Sequence, residues 1–234
     1  MSLLTICIDA ADQIGLRRPA SVIGNPDPEV QQLLNYAQLE GKELPTRGEW
    51  QGLRTPALFT SLASEVQTGM IPTDFARFIN ETFWNRSRRR PLMGPVTPQQ
   101  WQNIQAWTTS PLQDTFTVYG GDIYVTPAPP AGETFAFEYV SNNFCKSATN
   151  TPQSSWLADT DTARIPEELF STGIAWRFLE QAGQPRYQTL QAKYETRVRQ
   201  LLTNDQPRRT ISLSQSPEYG RYPGIVVPEG YWMT

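Results

Sequence analysis

Helical hydrophobic periodicity dominates the two ends of the 234-residue chain, and strand-like patterning occupies its middle. Residues 51–151 are rich in Thr, Phe, Tyr, Gly and Pro, which favour strands and turns. Amphipathic helices must bury their apolar faces, so we expect helices from both ends to pack together. The sequence therefore predicts an α+β fold. A helical bundle formed by residues 1–50 and 158–206 is interrupted by a β-rich insert at residues 51–157 and followed by an extended arm at residues 207–234.

Two helices are predicted in the N-terminal 50 residues. Ser2 can cap the first, and Gly15 directly follows its last apolar position. Asp27-Pro28-Glu29 starts the second, with a capping acid followed by proline at the first helical position. Pro45 is expected to end or kink this second helix, because a proline ring clashes with the carbonyl group four residues earlier.

The C-terminal third predicts two further helices. One begins at Pro166, has a broad apolar face and ends at Gly183. The other begins at Pro185, has a second apolar stripe and is ended by Pro207. A short helix starting at Pro98 is also predicted within the β-rich middle.

Strand candidates in the middle share an alternating or β-branched and aromatic pattern. They are residues 53–62, 75–84, 116–119, 122–126 and 134–141. Gly120-Gly121 predicts a tight hairpin between the third and fourth candidates, since glycine readily adopts positive φ angles. A proline-rich turn then leads to the fifth candidate. We therefore predict that the last three candidates form an antiparallel meander.

The composition excludes several kinds of catalytic site. The chain has no histidine, which removes Ser-His and Cys-His catalysis, most zinc sites and the usual pH switch. Cys7 and Cys145 lie far apart in apolar settings, where two buried thiols are favoured over one disulfide. No glycine-rich phosphate loop or metal-ligand spacing occurs, so no cofactor or metal is expected.

The basic and aromatic residues point to protein partners. The chain has 17 Arg but only 3 Lys, together with 7 Trp, 9 Tyr and 10 Phe. Arg is typical of interfacial ion pairs, and Lys of solvated surface, so we expect much of the surface to contact other proteins. The net charge of −3 gives no general attraction to nucleic acid or an acidic membrane. No apolar stretch approaches the ~20 residues of a membrane span, and the first residues lack a signal-peptide pattern.

The last 28 residues, 207–234, have no regular period but many apolar side chains. Such a segment typically binds a groove or the edge of a partner's sheet. Because Tyr, Trp and Arg are the usual interface anchors, we expect this arm to dock on its partner through four residues. They are Arg221, Tyr222, Tyr231 and Trp232.

Several short motifs follow one another along about residues 1–210. They are LLTIC at 3–7 and DAADQIGL at 9–16 with Pro19, PTDFARFIN at 72–80, FWN at 83–85, RSRRRP at 86–91, PVTPQQW at 95–101, PAPPAGE at 127–133 and DTDTARIPEEL at 159–169. This ordered set resembles the head-to-tail adaptor (connector or neck) proteins of tailed bacteriophages, as found in short-tailed phages. Pro45 departs from that pattern, since the family's second helix would continue towards Trp50.

The resemblance implies a structural, non-enzymatic virion protein, made in the cytoplasm of the host bacterium and located at the neck between head and tail. Twelve copies would form a ring that joins the portal protein to tail or nozzle proteins. The ring would line the channel through which DNA passes without sequence-specific contact. In such families the helical bundle forms the ring, the β region faces outward or towards the tail, and the C-terminal arm docks on the portal.

The strongest local charge feature is the run Arg86, Arg88, Arg89 and Arg90. It could contact the phosphates of DNA inside a ring. It could also pair with carboxylates of a neighbouring subunit, and we favour this interpretation because the chain is acidic overall.

Paired carboxylates leave an enzymatic alternative, a tail-associated peptidoglycan (glycoside) hydrolase. Asp159 and Asp161 are separated by one residue, and Glu167 and Glu168 are adjacent in the sequence. A glycosidase needs two carboxyl groups that face each other across a cleft. A structural role is favoured: Asp161 or Thr162 ends a loop, and the two glutamates stabilise the positive N-terminus of a helix.

A third alternative is a carbohydrate-binding module that stacks sugars on tryptophans. The candidates are Trp84, Trp101, Trp107, Trp156 and Trp176. Their helical or strand spacing favours burial in a core instead.

Overall fold

The computed structural model describes residues 2–106 and 113–205 and has a mixed α+β fold. The helices are α1 Leu3–Ile14, α2 Pro28–Arg47, α3 Pro98–Ala106, α4 Glu167–Gln181 and α5 Tyr187–Asp205. The strands are β1 Arg54–Thr60, β2 Val66–Gln67, β3 Phe75–Phe78, β4 Trp84–Asn85, β5 Arg90–Pro91, β6 Thr115–Tyr119, β7 Asp122–Thr126, β8 Thr134–Ser141, β9 Cys145–Lys146, β10 Pro152–Gln153 and β11 Thr162–Ala163. The arm predicted at 207–234 and Trp107 lie outside the described residues.

The first helix has the caps that its sequence predicts. The Ser2 hydroxyl oxygen accepts a hydrogen bond from the backbone N–H of Thr5 at 3.4 Å. At the other end Gly15 adopts a left-handed conformation with φ +86°, and its N–H donates to the Ala11 carbonyl. Both bonds satisfy backbone groups that a helix end leaves without partners.

The second helix begins as predicted but continues beyond Pro45. The Asp27 side chain accepts from the N–H of Glu29 at 3.0 Å, and the helix then runs to Arg47. The expectation that Pro45 ends the helix is therefore wrong. A proline in the last turn removes only the one backbone bond to the Gly41 carbonyl, which a helix that ends two residues later tolerates. At that end the Leu44 carbonyl accepts from the buried Trp50 indole N–H at 2.8 Å.

Helices from the two ends of the chain pack together, which confirms the predicted bundle. α4 contacts α1, α2 and α5, and it is the central helix of the group. Val140, Phe144, Cys145 and Trp156, which follow or end the β region, pack into the same core. Leu53 at the N-terminal side of the β-rich segment belongs to this core as well, so apolar packing joins both ends of the segment to the bundle.

The main sheet has the order β1-β8-β4-β5, with β3 also paired to β8, and all of these pairs are antiparallel. The predicted meander is wrong, because β8 pairs with β1 along seven residues and not with β7. Residues 127–133, which connect β7 to β8, are too many for a tight turn. They include three prolines, which cannot donate to a strand ladder.

The predicted β6–β7 hairpin is present and belongs to a second sheet with the order β2-β7-β6. Its turn uses Gly120 and Gly121 at φ +65° and +86°. The apolar residues of β6 and β7 join those of the main sheet in a second core. Phe83 is central to it, with its ring centroid 4.5 Å from Phe116 and 5.4 Å from Phe137.

Both cysteines are free and buried, as predicted. Burial raises the pKa of Cys7 and of Cys145 to about 12. Because the thiolate is the reactive form, these side chains are chemically inert packing groups in the folded protein.

Candidate functional site

The basic run forms the tip of a short β-hairpin. β4 pairs with β5 antiparallel, in the register Trp84↔Pro91 and Asn85↔Arg90, and residues 86–89 make the turn. Arg86, Arg88, Arg89 and Arg90 are all exposed. Arg89 adopts φ +57°, a left-handed conformation that reverses the chain at the tip. The hairpin therefore presents four guanidinium groups within five residues.

The start of β8 fixes this hairpin to the main sheet. The backbone N–H of Arg86 donates to the Thr134 carbonyl at 2.8 Å, and the N–H of Thr134 donates to the Ser87 hydroxyl at 2.9 Å. The fully buried Asn85 donates to one oxygen of Glu133 at 2.7 Å. These bonds hold both the backbone and the acidic neighbour of the turn in a defined position.

Glu133 also engages one of the four arginines. Its second oxygen accepts from Arg88 Nε at 2.5 Å, and the Arg88 backbone N–H donates to the Asn85 side chain at 3.0 Å. Arg88 thus has a carboxylate partner within its own chain. Arg86, Arg89 and Arg90 form no salt bridge with any of residues 2–106 or 113–205. The inter-subunit role assigned to the four arginines stays a prediction.

A groove of about 400 Å³ lies beside the hairpin, and sequence reasoning missed it. Its lining is of mixed polarity: Glu81 and Gln113 lie there together with Trp84, Pro91, Leu92, Met93 and Gly94. Met93 is 54% exposed, whereas Leu92 is buried. An exposed apolar side chain next to arginines is the usual composition of a protein interface. The sequence signal was Pro91-Leu92-Met93 directly after a charged run.

The carboxylates of the enzymatic alternative serve structural roles. Asp159 accepts from the backbone N–H groups of Val22, at 3.1 Å, and Ile23, at 2.7 Å. Asp161 Oδ2 accepts from the N–H groups of Leu157 and Ala158, at 2.8 and 2.9 Å.

The loop that carries these two aspartates also caps the first helix. The N–H of Leu3 donates to the Asp161 carbonyl at 2.8 Å, and the N–H of Leu4 donates to the Asp159 carbonyl at 3.2 Å. Farther along, Glu168 pairs with Arg197 across α4 and α5. The acidic residues at 159–168 therefore join neighbouring elements of the bundle.

Most of the tryptophans considered for sugar stacking lie in the interior. Trp101, Trp156 and Trp176 are buried, and Trp84 is half-buried at the groove beside the hairpin. No continuous platform of exposed indole rings occurs in the described part of the chain.

No group of three His, Cys, Asp or Glu side chains within residues 2–106 and 113–205 has the arrangement of a metal site. No helix in that part of the chain has the length and apolar character that crossing a membrane requires. The predicted docking residues Arg221, Tyr222, Tyr231 and Trp232 lie outside the described residues. The chain matches no protein-family model, and no curated protein is detectably similar to it.

Proposed function

We propose that the protein is a head-to-tail adaptor of a tailed bacteriophage. In this proposal, twelve copies form a ring in the virion neck that joins the portal to tail or nozzle proteins and lines the DNA exit channel. The role is mechanical and needs no catalytic group or cofactor. The ordered motifs along residues 1–210 and the α+β architecture support it.

The arginine hairpin is the observation that carries this proposal furthest. Arg86, Arg89 and Arg90 are exposed on a turn that is hydrogen-bonded to the main sheet, beside a groove of mixed polarity. A preorganised turn loses little conformational entropy when it binds, which favours its use in a repeated subunit contact. Arg88 already pairs with the Glu133 carboxylate at this turn, so we expect the neighbouring arginines to bind carboxylates as well.

The neighbouring subunit is the favoured partner of the hairpin. A ring needs a heterologous interface, in which one surface of each subunit contacts a different surface of the next. The chain carries 23 acidic against 20 basic residues, so a second copy offers carboxylates to a basic turn. The proposed contact is ion pairing between subunits, with DNA passing the ring without using this turn.

Charge reversal tests this assignment. We expect Arg86→Glu combined with Arg90→Glu to prevent ring formation, measured by mass photometry and by electron microscopy of negatively stained particles. Arg186→Glu combined with Arg199→Glu makes the same change in net charge at exposed positions of the α4–α5 region, and it should leave assembly intact.

Salt distinguishes the two partners of the hairpin. Ring assembly should weaken as ionic strength rises, because exposed ion pairs are screened. The inter-subunit assignment would be wrong if the rings of the Arg86/Arg90 variant assembled normally at every salt concentration while DNA retention in the particle became salt-sensitive.

A further inference from the structure

One edge of the main sheet is formed by β1, which pairs with β8 along its full length, from Arg54↔Val140 to Thr60↔Thr134. On its other side β1 has no strand partner within residues 2–106 and 113–205. A free edge presents a row of unpaired backbone N–H and C=O groups, so another strand can add to it. The sequence of β1 limits which strand fits this edge.

The hydrogen bonds around β8 define which backbone groups of β1 face outward. The N–H of Ser61, directly after β1, donates to the Glu133 carbonyl at 2.8 Å, so the odd-numbered residues of β1 direct their backbone groups towards β8. On the other side of β8, the N–H of Ile79 donates to the Glu138 carbonyl at 3.0 Å, which agrees with this alternation. The even-numbered residues of β1 therefore present their backbone groups at the free edge.

The free edge has little protection against pairing. Charged side chains and prolines are the usual means of protecting an edge. In β1 the only charged residue is Arg54 at its first position, and Pro56 removes one outward donor. Leu58 and Thr60 keep their outward N–H groups, and the Leu58 side chain is 57% exposed. The second half of the strand is therefore open to a partner.

The edge is complementary to the same edge of a second copy. If two β1 strands pair antiparallel with Leu58 on a two-fold axis, the Leu58 N–H of each copy donates to the Leu58 carbonyl of the other. The Thr60 N–H of each copy then donates to the Pro56 carbonyl of the other, so the proline serves as an acceptor there and its missing N–H leaves no donor unpaired. The remaining outward N–H, that of Arg54, already donates to the Gln51 carbonyl. Every outward donor of β1 thus has an acceptor in this register.

The side chains of β1 suit the same register. The exposed Leu58 side chains of the two copies lie side by side on one face. On the other face the ring of Phe59, which is half-buried and stacks on Phe135 with a centroid distance of 5.4 Å, lies opposite the small Ala57 of the second copy. The two Arg54 residues are about 26 Å apart, at ~3.3 Å per residue, so like charges do not meet. The register therefore pairs apolar side chains without a charge conflict.

We propose that two copies of the protein pair antiparallel through β1, with Leu58 on the two-fold axis, and so join their main sheets into one. The contact is isologous, because the same surface of each copy takes part. The arginine hairpin belongs to the opposite end of the sheet order, so this contact and the proposed ring contact use different surfaces. The inference therefore does not depend on the adaptor function.

Cross-linking of the full chain tests the two-fold contact, because such a contact brings a residue beside the same residue of another copy. Leu58→Cys should cross-link to itself through a short bismaleimide, since paired Cα atoms lie about 5.5 Å apart. Leu62→Cys is the matched control: Leu62 is 41% exposed, but its two copies would be about 26 Å apart and should not cross-link. Cys7 and Cys145 are buried and do not interfere.

A charge on the axis should weaken the contact. Leu58→Lys places two like charges directly opposite each other, and we expect it to raise the dissociation constant of the dimer by about tenfold or more. Leu62→Lys adds the same charge at an exposed position away from the axis and should leave the constant unchanged. Sedimentation equilibrium measures both variants in the background of Arg86→Glu combined with Arg90→Glu, in which the proposed ring contact is removed.

Failure of Leu58→Cys to cross-link to itself would overturn the proposal, and so would a dissociation constant that Leu58→Lys leaves unchanged. Amide hydrogen exchange decides whether another segment occupies the edge. Protection of the Leu58 and Thr60 N–H groups should rise with protein concentration as dimers form. Equal protection in a monomeric sample would show that a segment of the same chain covers β1, and it would also overturn the proposal.

Discussion

At the scale of single residues, the bundle contains a buried network of charged and polar groups. Glu40 is fully buried, forms an ion pair with Arg177 and accepts a hydrogen bond from the Tyr194 hydroxyl. Arg177 also donates to Glu43 at 2.5 Å and lies 4.6 Å from the centroid of the Trp176 ring. The network therefore joins α2, α4 and α5. Within it, the buried charges of Glu40 and Arg177 are paired with each other.

Removing one member of this network should be costly. We expect Glu40→Ala to lower the free energy of unfolding by about 3 kcal/mol, because the buried Arg177 guanidinium then keeps only the Glu43 carboxylate and the Tyr194 hydroxyl loses its acceptor. Glu40→Gln keeps an acceptor for Tyr194 and should lose less. Urea denaturation of both variants measures the difference, and an unchanged midpoint for Glu40→Ala would show that the pair does not stabilise the bundle.

Four buried groups predict how stability depends on pH. Burial raises the pKa values of Cys7, Cys145, Tyr139 and Tyr194 to about 12. The unfolded chain releases these protons above about pH 9 for the thiols and pH 10 for the phenols, while the folded protein retains them. Their contribution to the free energy of unfolding is therefore complete below pH 9. It is lost as the pH rises towards 12, by up to about 1.4 kcal/mol per pH unit for each group.

Denaturant titrations between pH 7.5 and 11 test this expectation. The free energy of unfolding should stay constant between pH 7.5 and about pH 9 and should fall at higher pH. Cys7→Ala removes one titrating group and should make the fall between pH 9 and 10 less steep, whatever its effect on absolute stability. A free energy of unfolding that stays constant up to pH 11 would contradict the assignment.

At the scale of helices and strands, local signals were sufficient where the structure itself is local. The caps Ser2 and Gly15, the glycine turn of β6–β7 and the bounds of β8 all appear as the sequence predicts. The partner of β8 could not be predicted in this way, because its pairing with β1 joins residues about 80 positions apart. The end of α2 was likewise missed, because the Leu44 carbonyl there accepts from the Trp50 indole N–H, a bond that no local pattern reports.

The β6–β7 turn supports a prediction about its two glycines. Gly121 has φ +86°, so Gly121→Val should destabilise the protein by about 1–2 kcal/mol, since a β-branched side chain is strained there. Gly120→Asn is the matched control at φ +65°, where asparagine is tolerated. Thermal unfolding measures both variants, and equal melting temperatures would show that the turn does not require positive φ at Gly121.

At the scale of the whole molecule, two apolar cores are held together by specific contacts. Arg164 precedes α4 and donates to the Gly52 carbonyl at 2.9 Å and to the Asn143 carbonyl at 3.0 Å. It thereby connects the start of α4 to the residues just before β1 and just after β8. The sequence located the arginine run but not its hairpin or groove, because Glu133 and β8 lie more than 40 residues away.

The adaptor proposal is tested most directly by electron microscopy of the protein mixed with purified portal rings, together with its mass in solution. We predict a second ring of twelve copies stacked on the portal. A chain that lacks residues 214–234, and with them Arg221, Tyr222, Tyr231 and Trp232, should fail to attach. Absence of any complex between the full chain and the portal would contradict the proposal, and lysis of a cell-wall suspension would then favour a peptidoglycan hydrolase.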